Sequence, residues 1–173
     1  MELRTPRLVI RNWKDSDIIA LTRNANDPEI AMWLRDGFPF PYTSDDAFDF
    51  LRVIDSKHPA TVFAIDLNGE AIGSIGYFPK ENIYRLNAEI GYWLGKSFWG
   101  NGYITETIIA LTDWIFANTE IVRLYAQVFE GNLASARVLE KAGYCKEANL
   151  QRSIIKNGII KDEWIFARLK NAV

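Results

Sequence analysis

Of the 173 residues, one is cysteine and one is histidine. A single cysteine closes no internal disulfide, which favours a reducing, cytoplasmic setting over a secreted one. No cluster of His, Cys and acidic residues has metal-ligand spacing. A nucleophilic pair of Cys145 with His58 has neither a third orienting group nor an oxyanion motif, so His58 reads as a surface loop residue. Proline (6) and glycine (11) are too scarce for collagen-like or low-complexity chains. Charge of one sign is missing too: 20 Lys and Arg against 22 Asp and Glu leave a net charge of -2, without the basic footprint of a general nucleic-acid binder. Charges interrupt every apolar run well short of the ~18 residues of a membrane span, and no apolar segment follows Met1 to Arg7 as in a signal peptide.

Hydrophobic residues make up 49% of the chain and aromatics 13%, enough for one packed core and too rich for disorder. One domain over residues 1–173 is the expectation. Arg7 to Asn12 alternates as a short strand. Asp15-Ser16-Asp17, Asp27-Pro28-Glu29 and Thr43-Ser44-Asp45-Asp46 each open a helix with capping chemistry, and an aromatic loop from Gly37 to Tyr42 separates the last two. Thr61 to Leu67 has period two, with Phe63, Ile65 and Leu67 on one face. Asn68-Gly69 then suits a type I′ turn into a return strand over Ala71 to Phe78. A third strand, Leu86 to Leu94, places Ile90 and Tyr92 on one face and Glu89 and Trp93 on the other. Gly100-Asn101-Gly102 leads into a long helix with Ile104, Ile108, Leu111 and Ile115 as its apolar stripe. A strand at Arg123 to Phe129, a helix from Asn132 to Gly143, and strands near Lys146 to Ile154 and Glu163 to Leu169 complete the chain. This order predicts an α+β fold with a mixed, mostly antiparallel sheet flanked by helices.

Two segments carry chemistry. Gly95 to Thr105 leaves a strand, passes two glycines and enters a helix, so its backbone N–H groups and the helix dipole suit a phosphate or diphosphate. The bland alternative is a ligand-free turn. A Walker loop needs Gly-Lys-Ser/Thr, which is missing, and a dinucleotide fingerprint needs glycine where Thr105 stands. In the second segment Asn132 caps a helix and Ser135 lies one turn on; alone, it reads as an amphipathic helix packing Val138, Leu139 and Ala142.

Taken together, Leu3-Arg4-Thr5-Pro6-Arg7-Leu8, Glu89-Ile90-Gly91-Tyr92-Trp93-Leu94, Phe98-Trp99-Gly100-Asn101-Gly102-Tyr103 and Asn132…Ser135…Glu140-Lys141…Gly143-Tyr144 resemble the GNAT superfamily of N-acetyltransferases over essentially the whole chain. The likeness is closest to the branch acetylating the N-terminal alanine of ribosomal proteins. It implies a GNAT fold in which a splayed strand pair holds acetyl-CoA. It also implies that the backbone of Trp93 and Leu94 meets the pantetheine arm, and that Trp99, Gly100, Asn101, Gly102, Tyr103, Ile104 and Thr105 form the diphosphate loop. Asn132 would bind the pantetheine. Arg137 or Lys141 would meet a cofactor phosphate, unless they only solvate a helix face.

The resemblance further implies Glu89 as the base, against a plain polar residue on an exposed sheet face, and Ser135 as the acid, against a structural or pantetheine-binding hydroxyl. Trp33, Phe38 and Tyr42, with Phe40, would wall the acceptor or else anchor the early helices to the core. The chain departs from the family pattern at Ser97, where Arg or Gln is usual, and at Leu139, where many members carry a proton-donating Tyr. The expected reaction moves acetyl to a primary amine, a protein N-terminus foremost, in a ternary complex, with neither nucleic acid nor membrane involved and the protein a monomer or homodimer. A small-molecule amine acceptor and a non-catalytic acyl-CoA sensor remain alternatives.

Overall fold

The structure, a computed structural model, describes residues 2–56 and 59–170, so His58 lies outside the described residues. Eight strands are hydrogen-bonded in the order β1-β2-β3-β4-β5-β6-β8-β7: β1 (Glu2–Arg4), β2 (Val9–Arg11), β3 (Val62–Leu67), β4 (Glu70–Pro79), β5 (Asn87–Leu94), β6 (Arg123–Phe129), β7 (Cys145–Lys156) and β8 (Ile159–Leu169). The helices are α1 (Ile18–Ala25), α2 (Pro28–Ala31), α3 (Ser44–Asp55), α4 (Tyr103–Asn118) and α5 (Leu133–Lys141). The chain divides into two compact units, Met1–Gly76 with Tyr92–Thr107, and Tyr77–Gly91 with Ile108–Val173.

In the first unit, capping chemistry sets α2 and α3 as the sequence predicts, whereas α1 has no side-chain cap at Asp17. The Asp27 carboxylate accepts from the Glu29 N–H at 2.8 Å, and Thr43 and Asp46 form a reciprocal capping box at the start of α3. Leu21, Ala25, Tyr42, Ala47 and Leu51 pack into the core of this helical layer. Asn68 and Gly69 both take positive φ (54° and 91°), as the β3–β4 turn requires.

Three sequence expectations change here. The first strand is shorter than Arg7 to Asn12, and an unforeseen β1 pairs antiparallel beside it. The segment from Asp15 to Asp17 is a 3₁₀ turn ahead of α1. And β3 buries both faces: opposite Phe63 and Ile65, Ala64 and Asp66 are buried as well, with Asp66 held by Arg11. Arg11 donates to Asp66 at 2.7 Å and to both oxygens of Asp17 at 2.7 and 2.9 Å, a buried charge triad joining β2, β3 and that turn.

In the second unit, Ile108, Leu111 and Ile115 of α4 are fully buried, as are Leu124 of β6 and Leu139 of α5. The long β7–β8 hairpin turns at Asn157-Gly158, both with positive φ, and starts earlier on β8 than predicted, at Ile159. Its register shifts between Lys146 and Ala148 and again between Leu150 and Ile154, near Arg152 (φ 52°). The registers recorded are antiparallel save one: β5 and β6 run parallel and pair only at Asn87–Arg123, Ala88–Leu124 and Glu89–Tyr125. Both strands continue for several residues beyond that pairing.

Candidate active site

The loop ahead of α4 is exposed at Gly100 to Gly102 and leaves a run of backbone donors without acceptors among the described residues. Gly100 and Gly102 both sit at φ +77°, a left-handed conformation that L side chains resist. The first backbone bond of α4 runs from Glu106 N–H to Gly102 O at 3.1 Å. The amides of Gly100, Asn101, Gly102, Tyr103, Ile104 and Thr105 therefore have no acceptor among the described residues. A Cβ placed on Gly100 would meet nothing within 4 Å, so the space beside its Cα is open. Such a row of free N–H groups at the positive end of a helix dipole matches an anion in charge and in geometry.

The loop is stiffened by its own side chains. Asn101 Nδ2 donates to the carbonyls of Phe98 and Trp99 at 3.2 and 3.0 Å. Trp99 Nε1 donates to Leu94 O at 2.7 Å, tying the loop to the end of β5. On its β4 side β5 comes very close: a Cβ on Gly73 would stand 2.4 Å from Trp93 O.

In the second unit a polar array lies on one face of the sheet. Glu89, which pairs in register with Tyr125, is only 8% exposed. Its Oε2 accepts from Lys80 Nζ at 3.0 Å. Burial disfavours the Lys80 ammonium, but hydrogen bonds to Tyr125 and Glu89 and their charges outweigh it and raise its pKa. Two residues along β6 from Tyr125, Gln127 Nε2 donates to Glu163 Oε2 at 2.9 Å. Glu163 is opposite Phe129 in register, so Glu89, Tyr125, Gln127 and Glu163 share a face, and both acids are buried. On α5, Asn132 Oδ1 caps the helix by accepting from the Ser135 N–H at 3.1 Å. Ser135 is half-buried there, while Arg137 and Lys141 are exposed.

A family model described as an acetyltransferase (GNAT) domain matches residues 7–145. The chain belongs to the GNAT acetyltransferase family. It is 30% identical over 175 residues to the "Uncharacterized N-acetyltransferase p20" of Bacillus licheniformis, covering 97% of this chain and 96% of the relative. It is also 30% identical over 110 residues to the ribosomal-protein-serine acetyltransferase of Escherichia coli (strain K12), covering 64% of this chain and 61% of that one. Among solved structures, a ribosomal L7/L12 alpha-N-protein acetyltransferase, RimL, in complex with coenzyme A superimposes with a TM-score of 0.87 at 22% identity, over 98% of both chains. As a GNAT enzyme the protein is an N-acetyltransferase, and acetyl-CoA is the acyl donor of the family. Among the described residues, no helix is long and apolar enough to cross a membrane.

The GNAT site residues expected from sequence are distributed unevenly. The loop amides, Trp93, Leu94 and Trp99 fall together in the first unit, with the Trp99 indole engaged by Leu94 O. The Phe38 ring stands 5.1 Å from that of Tyr42 and 5.9 Å from that of Trp93. Tyr42 is 5% exposed inside the helical core, and burial, with Asp46 nearby, pushes its hydroxyl pKa up to about 12. Its position suits an anchor of the early helices more than a wall open to an acceptor. Trp33 is half-buried and Phe40 exposed. Leu139 is completely buried, so that helix position is core and donates no proton.

Lys80, Tyr125, Gln127 and Glu163 escape the sequence reading. Glu163 had a signal: the expected strand from Glu163 to Leu169 already places it, by period two, on the face of Ile165.

Proposed function

We propose that the enzyme transfers acetyl from acetyl-CoA to a protein N-terminal α-amine, with Gly100 through Thr105 holding the diphosphate through their amides. The observation that carries this reading is that row of amides without acceptors. Backbone groups of Trp93 and Leu94 pair with the pantetheine arm, and Asn132, Arg137 and Lys141 supply further polar contacts to the cofactor. Bound acetyl-CoA supplies an activated thioester. Glu89, directly or through a water, takes the proton of the acceptor ammonium. A β5 backbone N–H donates to the acetyl carbonyl oxygen as negative charge develops on it. The amine nitrogen bonds to the acetyl carbon, the carbon–sulfur bond breaks, the Ser135 hydroxyl protonates the leaving sulfur, and the proton released by the new amide nitrogen restores that hydroxyl. Phe38 and Trp33 border the acceptor side, with the buried Tyr42 anchoring Phe38 from behind.

Magnitudes favour an α-amine. With a pKa of about 7.7–8.0, roughly one α-amine in ten is already neutral at pH 7, against about one lysine in 2,500. A site that offers carboxylates and a serine but no tyrosine at Leu139 suits the easier acceptor. The names of the Escherichia coli relative and of RimL support the same class of acceptor. Thiol release from acetyl-CoA tests this reading with peptides bearing ribosomal-protein N-termini, polyamines and amino sugars. Turnover with peptides supports it; turnover only with small amines moves the acceptor class, and CoA binding without turnover on any acceptor makes the protein a sensor.

A further inference from the structure

Arg7 lies outside the loop it touches. Its Nη1 donates to Asn101 O at 2.9 Å, between the two glycines. Its Nε and Nη2 both reach Glu106 Oε2 at 2.7 Å, its backbone N–H donates to Glu106 Oε1 at 3.0 Å, and its guanidinium stacks 4.6 Å from the Tyr103 ring centroid. Thr5 Oγ1 adds a 2.6 Å bond to the same carboxylate. One guanidinium thus grips the carbonyl at the apex of the loop and the first turn of the helix that follows.

We infer that Arg7, locked by Glu106, is the positioning residue that holds the cofactor loop with its amides turned outward before acetyl-CoA arrives, a role that rests on the diphosphate reading of that loop. The peptide unit explains how. In a trans peptide the C=O and the next N–H point in opposite directions. Tying Asn101 O to Arg7 therefore directs the Gly102 N–H away from the guanidinium. Two residues at φ +77° flank or follow that carbonyl, and glycine is the residue most free to leave such a conformation, so the loop needs an outside brace. Arg7 is not the loop's source of positive charge, because Glu106 cancels it at contact distance.

That charge balance separates this role from direct phosphate binding. If Arg7 acted by charge, Glu106→Gln would remove an anion beside the diphosphate and tighten CoA. As a brace, Arg7 loses its anchor in Glu106→Gln and CoA binds more weakly.

The test is calorimetric Kd for CoA in the wild type, Arg7→Ala, Arg7→Lys, Glu106→Gln and the double variant Arg7→Ala/Glu106→Gln. It is paired with kcat/KM for acetyl-CoA and for S-acetylpantetheine, which lacks the diphosphate. Arg7→Ala is expected to raise Kd about tenfold, the scale of one lost charged hydrogen bond. Arg7→Lys should recover only part of this, lacking the guanidinium fork. Glu106→Gln should weaken CoA, and the double variant should be no worse than Arg7→Ala. The acetyl-CoA to S-acetylpantetheine ratio should fall in Arg7→Ala and in Glu106→Gln. Tighter CoA in Glu106→Gln, unchanged Kd in Arg7→Ala, or equal loss with both donors overturns the role of Arg7. A wild type that binds no CoA overturns the diphosphate reading beneath it.

Discussion

Lys80 Nζ stands 3.0 Å from Glu89 Oε2, on a strand residue that is almost wholly buried. The lysine belongs to the segment just past β4 and the acid to β5, so the hairpin itself brings them together. With Tyr125 beside both, the lysine keeps its proton through the physiological range. An acceptor ammonium reaching Glu89 therefore meets an ion pair rather than a lone carboxylate.

Replacing Glu89 by Gln keeps the shape and removes the proposed base. At pH 7 the loss in kcat/KM toward a peptide α-amine is expected to be ~10²-fold or more. It should shrink toward pH 9, where the acceptor (pKa about 7.7–8.0) is already neutral. A pH–rate profile of wild type and Glu89→Gln checks this; a loss that is constant with pH assigns Glu89 to binding or structure.

Ser135→Ala removes the proposed acid while sparing the Asn132 cap, which uses the Ser135 backbone N–H. A fall in kcat with little change in the Kd for CoA is the expected split. A rise in Kd with kcat unchanged would make the hydroxyl a cofactor contact instead.

Gly102→Val places a β-branched side chain at φ +77° in the middle of the loop. The left-handed conformation costs an L-residue about 1–2 kcal/mol before any obstruction of an incoming phosphate. The Kd for CoA, read by calorimetry, should rise tenfold or more.

Tyr144 donates to or accepts from Thr112 at 2.7 Å, with both side chains buried. Burial raises its pKa to about 12. A tyrosine holding its proton more tightly when folded stabilises the protein fully below about pH 10, its unfolded value. That contribution is lost as pH rises through about 12. Tyr144→Phe leaves the Thr112 hydroxyl unpartnered and should cost about 1–3 kcal/mol at neutral pH by denaturant unfolding. The ultraviolet titration of the variant should lack one late-ionising phenol.

How much of this was legible depends on the range of the interaction. Caps at Asp27, Thr43 and Asn132 and the turns at Asn68-Gly69 and Asn157-Gly158 are read from neighbouring residues, because their hydrogen bonds close within a few positions. The loop glycines are legible for the same reason. Strand β1 is not: three residues with little burial become a strand only by pairing with β2. Arg11, Asp17 and Asp66 look like surface charges in the sequence and are buried because distant chain segments pair them. Glu89 shows the same limit. Its alternation gives the correct face, but that face is not exposed, since Lys80, Tyr125 and the neighbouring strands cover it. Trp99 is read as a cofactor residue, while its indole N–H closes the loop onto Leu94.

The central claim concerns a diphosphate on the amides from Gly100 to Thr105, and titration calorimetry of the wild-type protein with acetyl-CoA tests it most directly. The account predicts saturable one-to-one binding and a rise in melting temperature that Gly102→Val weakens. No heat and no melting shift at millimolar acetyl-CoA would contradict it.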